Sequence, residues 1–103
     1  MAFRSERVVT PALNSRVQLS FAPLKVRNLV LSALSTNGAR IAVGDRGSDS
    51  TLGQERGILF GPAVGGANAL IGIGNNDPLD LSEMWLYGIN AGDGITWTGD
   101  VVT

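Results

Sequence analysis

The segment from Leu79 to Val102 constrains the fold more than any other stretch of the chain. Its last third alternates: Ile95 and Trp97 fall on one side of an extended backbone, Thr96 and Thr98 on the other. That is the period-two pattern of a half-buried strand. Ahead of it, Met84 to Ile89 is a short apolar run carrying Trp85 and Tyr87, aromatics that suit a pleated surface. Between the two lies Ala91-Gly92-Asp93-Gly94. Asp-Gly is a hairpin signal, because tight primed turns need a positive φ that Gly adopts freely and Asp tolerates. The segment therefore predicts a C-terminal β-hairpin holding both tryptophans, and with them much of the core volume.

The rest of the chain reads in the same way. Residues 1–10 mix Arg4, Glu6 and Arg7 with Val8, Val9 and Thr10 before Pro11 interrupts, which predicts an N-terminal arm with a short edge strand. Val17, Leu19 and Phe21 alternate with Gln18 and Ser20, predicting a strand that ends at Pro23. Lys25 to Leu34 becomes almost continuously apolar and predicts a long strand. Arg40 to Gly44 follows as its partner across Asn37-Gly38, a second hairpin pair. Asp45 to Gln54 has no periodicity and predicts an exposed loop. Gly57 to Gly61 and Ala69 to Ile73 predict two more short strands, with turns over 61–68 and 74–78.

About eight short strands with turn signals every eight to twelve residues describe a single β-sandwich or small barrel over residues 1–103. The 14 glycines are too many for a helical bundle, where each interior glycine costs about 1 kcal/mol. A chain of this length buries roughly two-thirds of its unfolded surface, enough for a core without staples.

Composition removes most chemistry. The 103 residues contain no Cys and no His, so a disulfide framework, a thiolate metal site and every triad built on His are excluded. Ser-Lys chemistry would have to use Lys25, the sole lysine, which has no SxxK around it. The acids Asp77, Asp80, Glu83 and Asp93 are candidates for paired-carboxylate catalysis, but each falls at a turn or a strand end, where carboxylates are ordinarily solvated. The Asp45–Thr51 run fails the calcium-loop pattern, since its twelfth position is Arg56 rather than Glu. A looser oxygen site there or at Asn75-Asn76-Asp77 is the remaining metal candidate. Gly72-Ile73-Gly74 starts like a dinucleotide fingerprint, but Asp77 stands where the third glycine belongs. No catalytic residue, cofactor or metal is expected.

The net charge of −1 gives no argument for a nucleic-acid partner. The bases Arg4, Arg7, Arg16, Lys25 and Arg27 have one nearby aromatic, Phe21, a poor stacking platform. All eight basic residues lie in 1–56, whereas 57–103 carries five acids and no base. Either the two halves form complementary ends for docking, or strand order interleaves them. No apolar run reaches the ~18 residues of a membrane helix. The first residues lack a signal peptide's apolar stretch, which predicts synthesis in a cytosol.

From Val17 onward, the order of elements resembles small virion proteins of tailed bacteriophages. The features are Val17-Gln18-Leu19, Asn28 to Leu34, Asn37-Gly38, Ile41-Ala42-Val43-Gly44, Gly57 to Pro62, Leu79-Asp80-Leu81, Trp85 to Gly88 and Ala91 to Trp97. The chain departs from that pattern at 61–76, where GPAVGGANALIGIGNN replaces a short Pro-Gly turn. The resemblance implies an all-β, jelly-roll-like sandwich of about eight short antiparallel strands on the outer surface of a phage head. It would act as a decoration, or cement, protein binding the major capsid protein. A head–tail adaptor, a fibre-attachment module or a carbohydrate-binding virion module is the alternative, with loops 45–56 and 61–77 as glycan or ion candidates. A homotrimer is favoured and a dimer is the second choice. Arg4, Arg7, Val8 and Val9 are the expected partner-binding residues, pairing as a strand with an exposed sheet edge.

Overall fold

The computed structural model of the chain describes residues 2–61 and 77–102. Among these it has eight strands: β1 (Ala2–Val9), β2 (Ser15–Gln18), β3 (Lys25–Ala33), β4 (Ile41–Gly44), β5 (Ile58–Phe60), β6 (Leu79–Asp80), β7 (Trp85–Gly88) and β8 (Gly94–Val101). One turn of 3-10 helix, Leu81–Glu83, separates β6 from β7. The expected strand at 69–73 lies outside the described residues, as do most of the turns expected around it.

The strands form two antiparallel four-stranded sheets. Sheet A has the order β1-β8-β3-β6 and sheet B the order β2-β7-β4-β5. First pairs with last, second with seventh, third with sixth and fourth with fifth. The chain is thus doubled back once as a long ribbon, and the ribbon is rolled so that β8 also meets β3 and β7 meets β4. The small all-β sandwich expected from the sequence is the fold.

Alternation builds the core. On β8, Ile95 and Trp97 are fully buried while Thr96 and Thr98 are half-buried on the other side. On β3, Leu31 lies opposite Trp97 and Ala33 opposite Ile95. Sheet B supplies Ile41, Val43, Phe60 and Leu86, and together these side chains form one cluster. Fully burying each Leu or Ile contributes about 1.5–3 kcal/mol, so the inward rows of both sheets carry the stability. The Trp97 indole N–H is buried without a hydrogen-bond partner among the described residues, a local cost of about 1–3 kcal/mol accepted for the volume of the ring.

Neither predicted hairpin forms. β7 and β8 belong to different sheets, and so do β3 and β4. The connections at 34–40 and 89–93 are arches that carry the chain across the sandwich. Crossing places the apolar side of Leu86 against that of Ile95 and Trp97 across the core, whereas a hairpin would set them side by side on one sheet. The residues read as hairpin signals do different work. The Asn37 side chain donates to the Gly94 carbonyl at 2.9 Å and accepts from the Gly94 N–H at 2.7 Å. The Asp93 carboxylate accepts from the backbone N–H of Gly38 at 3.0 Å and of Ala39 at 3.2 Å. Each arch therefore supplies the side chain that satisfies the other's backbone. Gly92 provides the one positive φ of the second arch, at 86°. Gly94 has no room for a Cβ against the Val8 carbonyl, so β1 can approach closely.

Three other expectations change. Residues 2–9, expected as an arm with a short edge strand, form an edge strand over their whole length in continuous register with β8. Phe21 leaves the sheet and is 86% exposed, because β2 ends at Gln18. Glu83 lies in the 3-10 turn rather than opening a strand.

Candidate functional site

The described residues contain no group of three or more acids, His or Cys that could hold a metal. The acids singled out from the sequence are separated and used in the backbone. Asp93 is buried and holds the 34–40 arch. Asp80 caps the 3-10 turn: its Oδ1 accepts from the Ser82 N–H at 2.9 Å, the Ser82 hydroxyl at 2.7 Å and the Leu24 N–H at 3.1 Å. Those bonds, the Ser82 hydroxyl's first, hold its pKa below the ordinary carboxylate value. Asp77 and Glu83 are exposed. Of the looser oxygen site at Asn75-Asn76-Asp77, the two asparagines lie outside the described residues, as do Gly72 and Gly74.

The 45–56 segment is a loop with much of its length exposed, as expected for 45–54, but it is anchored rather than free. It folds back over the outer face of sheet B and buries Ser48 and Ser50 completely. The Ser50 hydroxyl donates to the Arg40 carbonyl at 2.7 Å and the Ser48 hydroxyl to the Trp85 carbonyl at 3.2 Å. Arg16 Nε donates to the Ser48 carbonyl at 2.7 Å, and its guanidinium lies 4.9 Å from the centre of the Tyr87 ring, a cation–π distance. Asp49 and Arg56 exchange backbone hydrogen bonds at the loop's neck. The Asp49 carboxylate accepts from the Thr51 N–H at 2.7 Å, and Thr51 holds its pKa below the usual value. As a result Tyr87 and Ala42, which point away from the core, are nonetheless buried.

The outer face of sheet A is built differently. Register places Phe3, Asp100 and Arg27 in one row across β1, β8 and β3. Ser5, Thr98 and Val30 form the next row, and Arg7, Thr96 and Ser32 the third. Ser5 and Thr98 hydroxyls are 2.8 Å apart. The β1 members of the rows are exposed, with Phe3 at 75%, and those of β8 and β3 are half-buried. This face carries four hydroxyls beside Phe3 and Arg7, and no described loop lies hydrogen-bonded across it.

Of the four residues expected to bind a partner, the structure brings Arg7 and Val9 together on this outer side of β1. Arg4 and Val8 alternate to the inner side, where Val8 packs on the core and Arg4 pairs with Glu6 at 2.8 Å. Sequence reasoning missed Phe3, Ser5, Thr96 and Thr98 as members of the same surface. The Thr96/Thr98 alternation was visible, but only the β1–β8 register could attach Ser5 and Arg7 to it.

The charge halves of the sequence do not form two poles in sheet A. Register sets Arg27 opposite Asp100 and Lys25 opposite Asp80, so strand order interleaves basic and acidic segments. No protein-family model, curated protein or solved structure matches the chain.

Proposed function

We propose that the protein is a structural protein of a phage virion, a decoration or cement protein that binds the outer surface of the head and stabilises contacts between major capsid subunits. The observation that carries this reading is the pairing order of the strands, first with last through fourth with fifth. That order supports reading the sandwich as a jelly roll, an architecture used by viral capsid and lectin domains. It supports the same class that the sequence motifs resemble. A chain without His or Cys, whose turn acids Asp80 and Asp93 are engaged as backbone acceptors, is read here as a module that grips rather than one that turns over substrate.

The outer face of sheet A, which no described loop covers, is the docking side in this reading, with Phe3, Arg7 and Val9 as contacts. Binding to the assembled shell alone stabilises the shell by mass action, about 2.7 kcal/mol when the free protein is at roughly 100 times its Kd. Co-sedimentation with phage shells tests the proposal. Binding to expanded but not unexpanded heads, at many sites per particle, is the expected result, with Arg7→Glu weakening it about tenfold or more. Occupancy of a single vertex would assign an adaptor role instead, and absence of shell binding would refute decoration.

A further inference from the structure

Four strands end the two sheets: β1 and β6 in sheet A, β2 and β5 in sheet B. Three of these edges are short, with four, three and two residues in β2, β5 and β6. β1 has eight, and among the described residues its second edge pairs with no strand. A long exposed edge presents unpaired backbone N–H and C=O groups and is a template for another strand. Residues 3–7 are all exposed on both sides, so a second strand would meet no steric barrier from sheet B.

The side chains of β1 specify which strand. Arg4 and Glu6 stand in the inner row, and Phe3, Ser5 and Arg7 in the outer. Two copies of β1 placed antiparallel about a two-fold axis at Ser5 bring Arg4 of each opposite Glu6 of the other. The same register sets Phe3 opposite Arg7 on the outer side, a cation–π arrangement. Directly opposed cross-strand pairs are the ones that interact. Centring the axis on Arg4, Glu6 or Arg7 instead puts that charge against its own copy. Only the Ser5 register satisfies every charge, and it keeps both buried faces on the same side.

We infer that the protein self-associates through β1, two copies joining edge to edge with Ser5 on the two-fold axis to make one continuous eight-stranded antiparallel sheet. The Arg4–Glu6 pair, made at 2.8 Å within one chain, is exchanged for two equivalent pairs between chains. An edge contact of one strand pair belongs to the small class of interfaces, so the dimer is concentration-dependent. It doubles the hydroxyl-bearing face, but the inference rests on the β1 edge and not on the shell-binding reading.

The chain has no cysteine, so a single introduced thiol reports the register directly. Under mild oxidation, full-length Ser5→Cys is expected to form a disulfide-linked dimer at least tenfold faster than Leu52→Cys, whose position is 83% exposed and distant from β1 in the chain. Sedimentation of the unlabelled protein over a wide concentration range should show monomer and dimer. Arg4→Glu should weaken association at least tenfold, and Arg4→Glu with Glu6→Arg should restore it. A purely intrachain salt bridge would leave oligomeric state unmoved in all three proteins. Equal cross-linking of Ser5→Cys and Leu52→Cys, no rescue by the double exchange, or a trimer as the smallest assembly would each overturn the inference. Dimerisation without shell binding would leave it standing and refute only the decoration role.

Discussion

On the outside of sheet B, Tyr87 and Ala42 lie beneath the 45–56 segment and are buried, although they point away from the core. On the outside of sheet A, Thr96 and Thr98 hold equally central positions but stay half-buried, and among the described residues no loop crosses them. The difference arises from where the polar groups are satisfied. Ser48 and Ser50 hydroxyls answer carbonyls of Trp85 and Arg40, so the segment can leave water without losing hydrogen bonds. Among the described residues the outward hydroxyls of sheet A have one internal pair, Ser5 with Thr98. A roofed face belongs to the fold. A face of hydroxyls with few internal partners among the described residues is the side the proposed docking uses.

The largest effect separating the two faces should come from Tyr87→Ala. Removing that ring empties the space under the roof and strips Arg16 and Thr51 of a neighbour, a loss of about 3–5 kcal/mol by denaturant unfolding if it behaves as a core aromatic. A cost under about 1 kcal/mol would mean that the roof is not packed in solution. Next comes Asn37→Ala, which leaves the Gly94 N–H and C=O buried without their side-chain partner. About 2 kcal/mol is expected, with Asp93→Ala less than additive to it because both staple the same pair of arches.

Acid should loosen the roof. Asp49 has a folded pKa below its unfolded value, so its contribution is fully present above the ordinary carboxylate range and is lost as pH falls through the lower folded value. Amide exchange at Thr51 is the expected reporter, rising below about pH 4, and Asp49→Asn should remove that dependence. The smallest effect is expected at Thr96→Ala, within about 0.5 kcal/mol in stability, with any consequence appearing in partner binding. A cost comparable to that of Tyr87→Ala would erase the distinction between the faces.

Much of the strand text was legible. The runs at 25–33 and 85–88 lie within a residue of their predicted bounds, and Ile95 and Trp97 face inward on β8 as their alternation requires. The candidate surface was half legible: Arg7 and Val9 were named, but Ser5 and Thr98 meet only through a register linking residues 93 apart. The two dipeptides that most resemble hairpin turns misled for a related reason. Asn37 and Asp93 have the side chains that tight turns favour, but each spends its hydrogen bonds on the other's arch.

By itself the sequence determined which stretches are extended and which side of each is apolar, because period-two burial is written in neighbouring residues. The tertiary structure alone decided which strands pair, which loop is a roof and which edge stays open. Those outcomes depend on backbone groups finding partners far along the chain, and the identity of a local turn does not specify them.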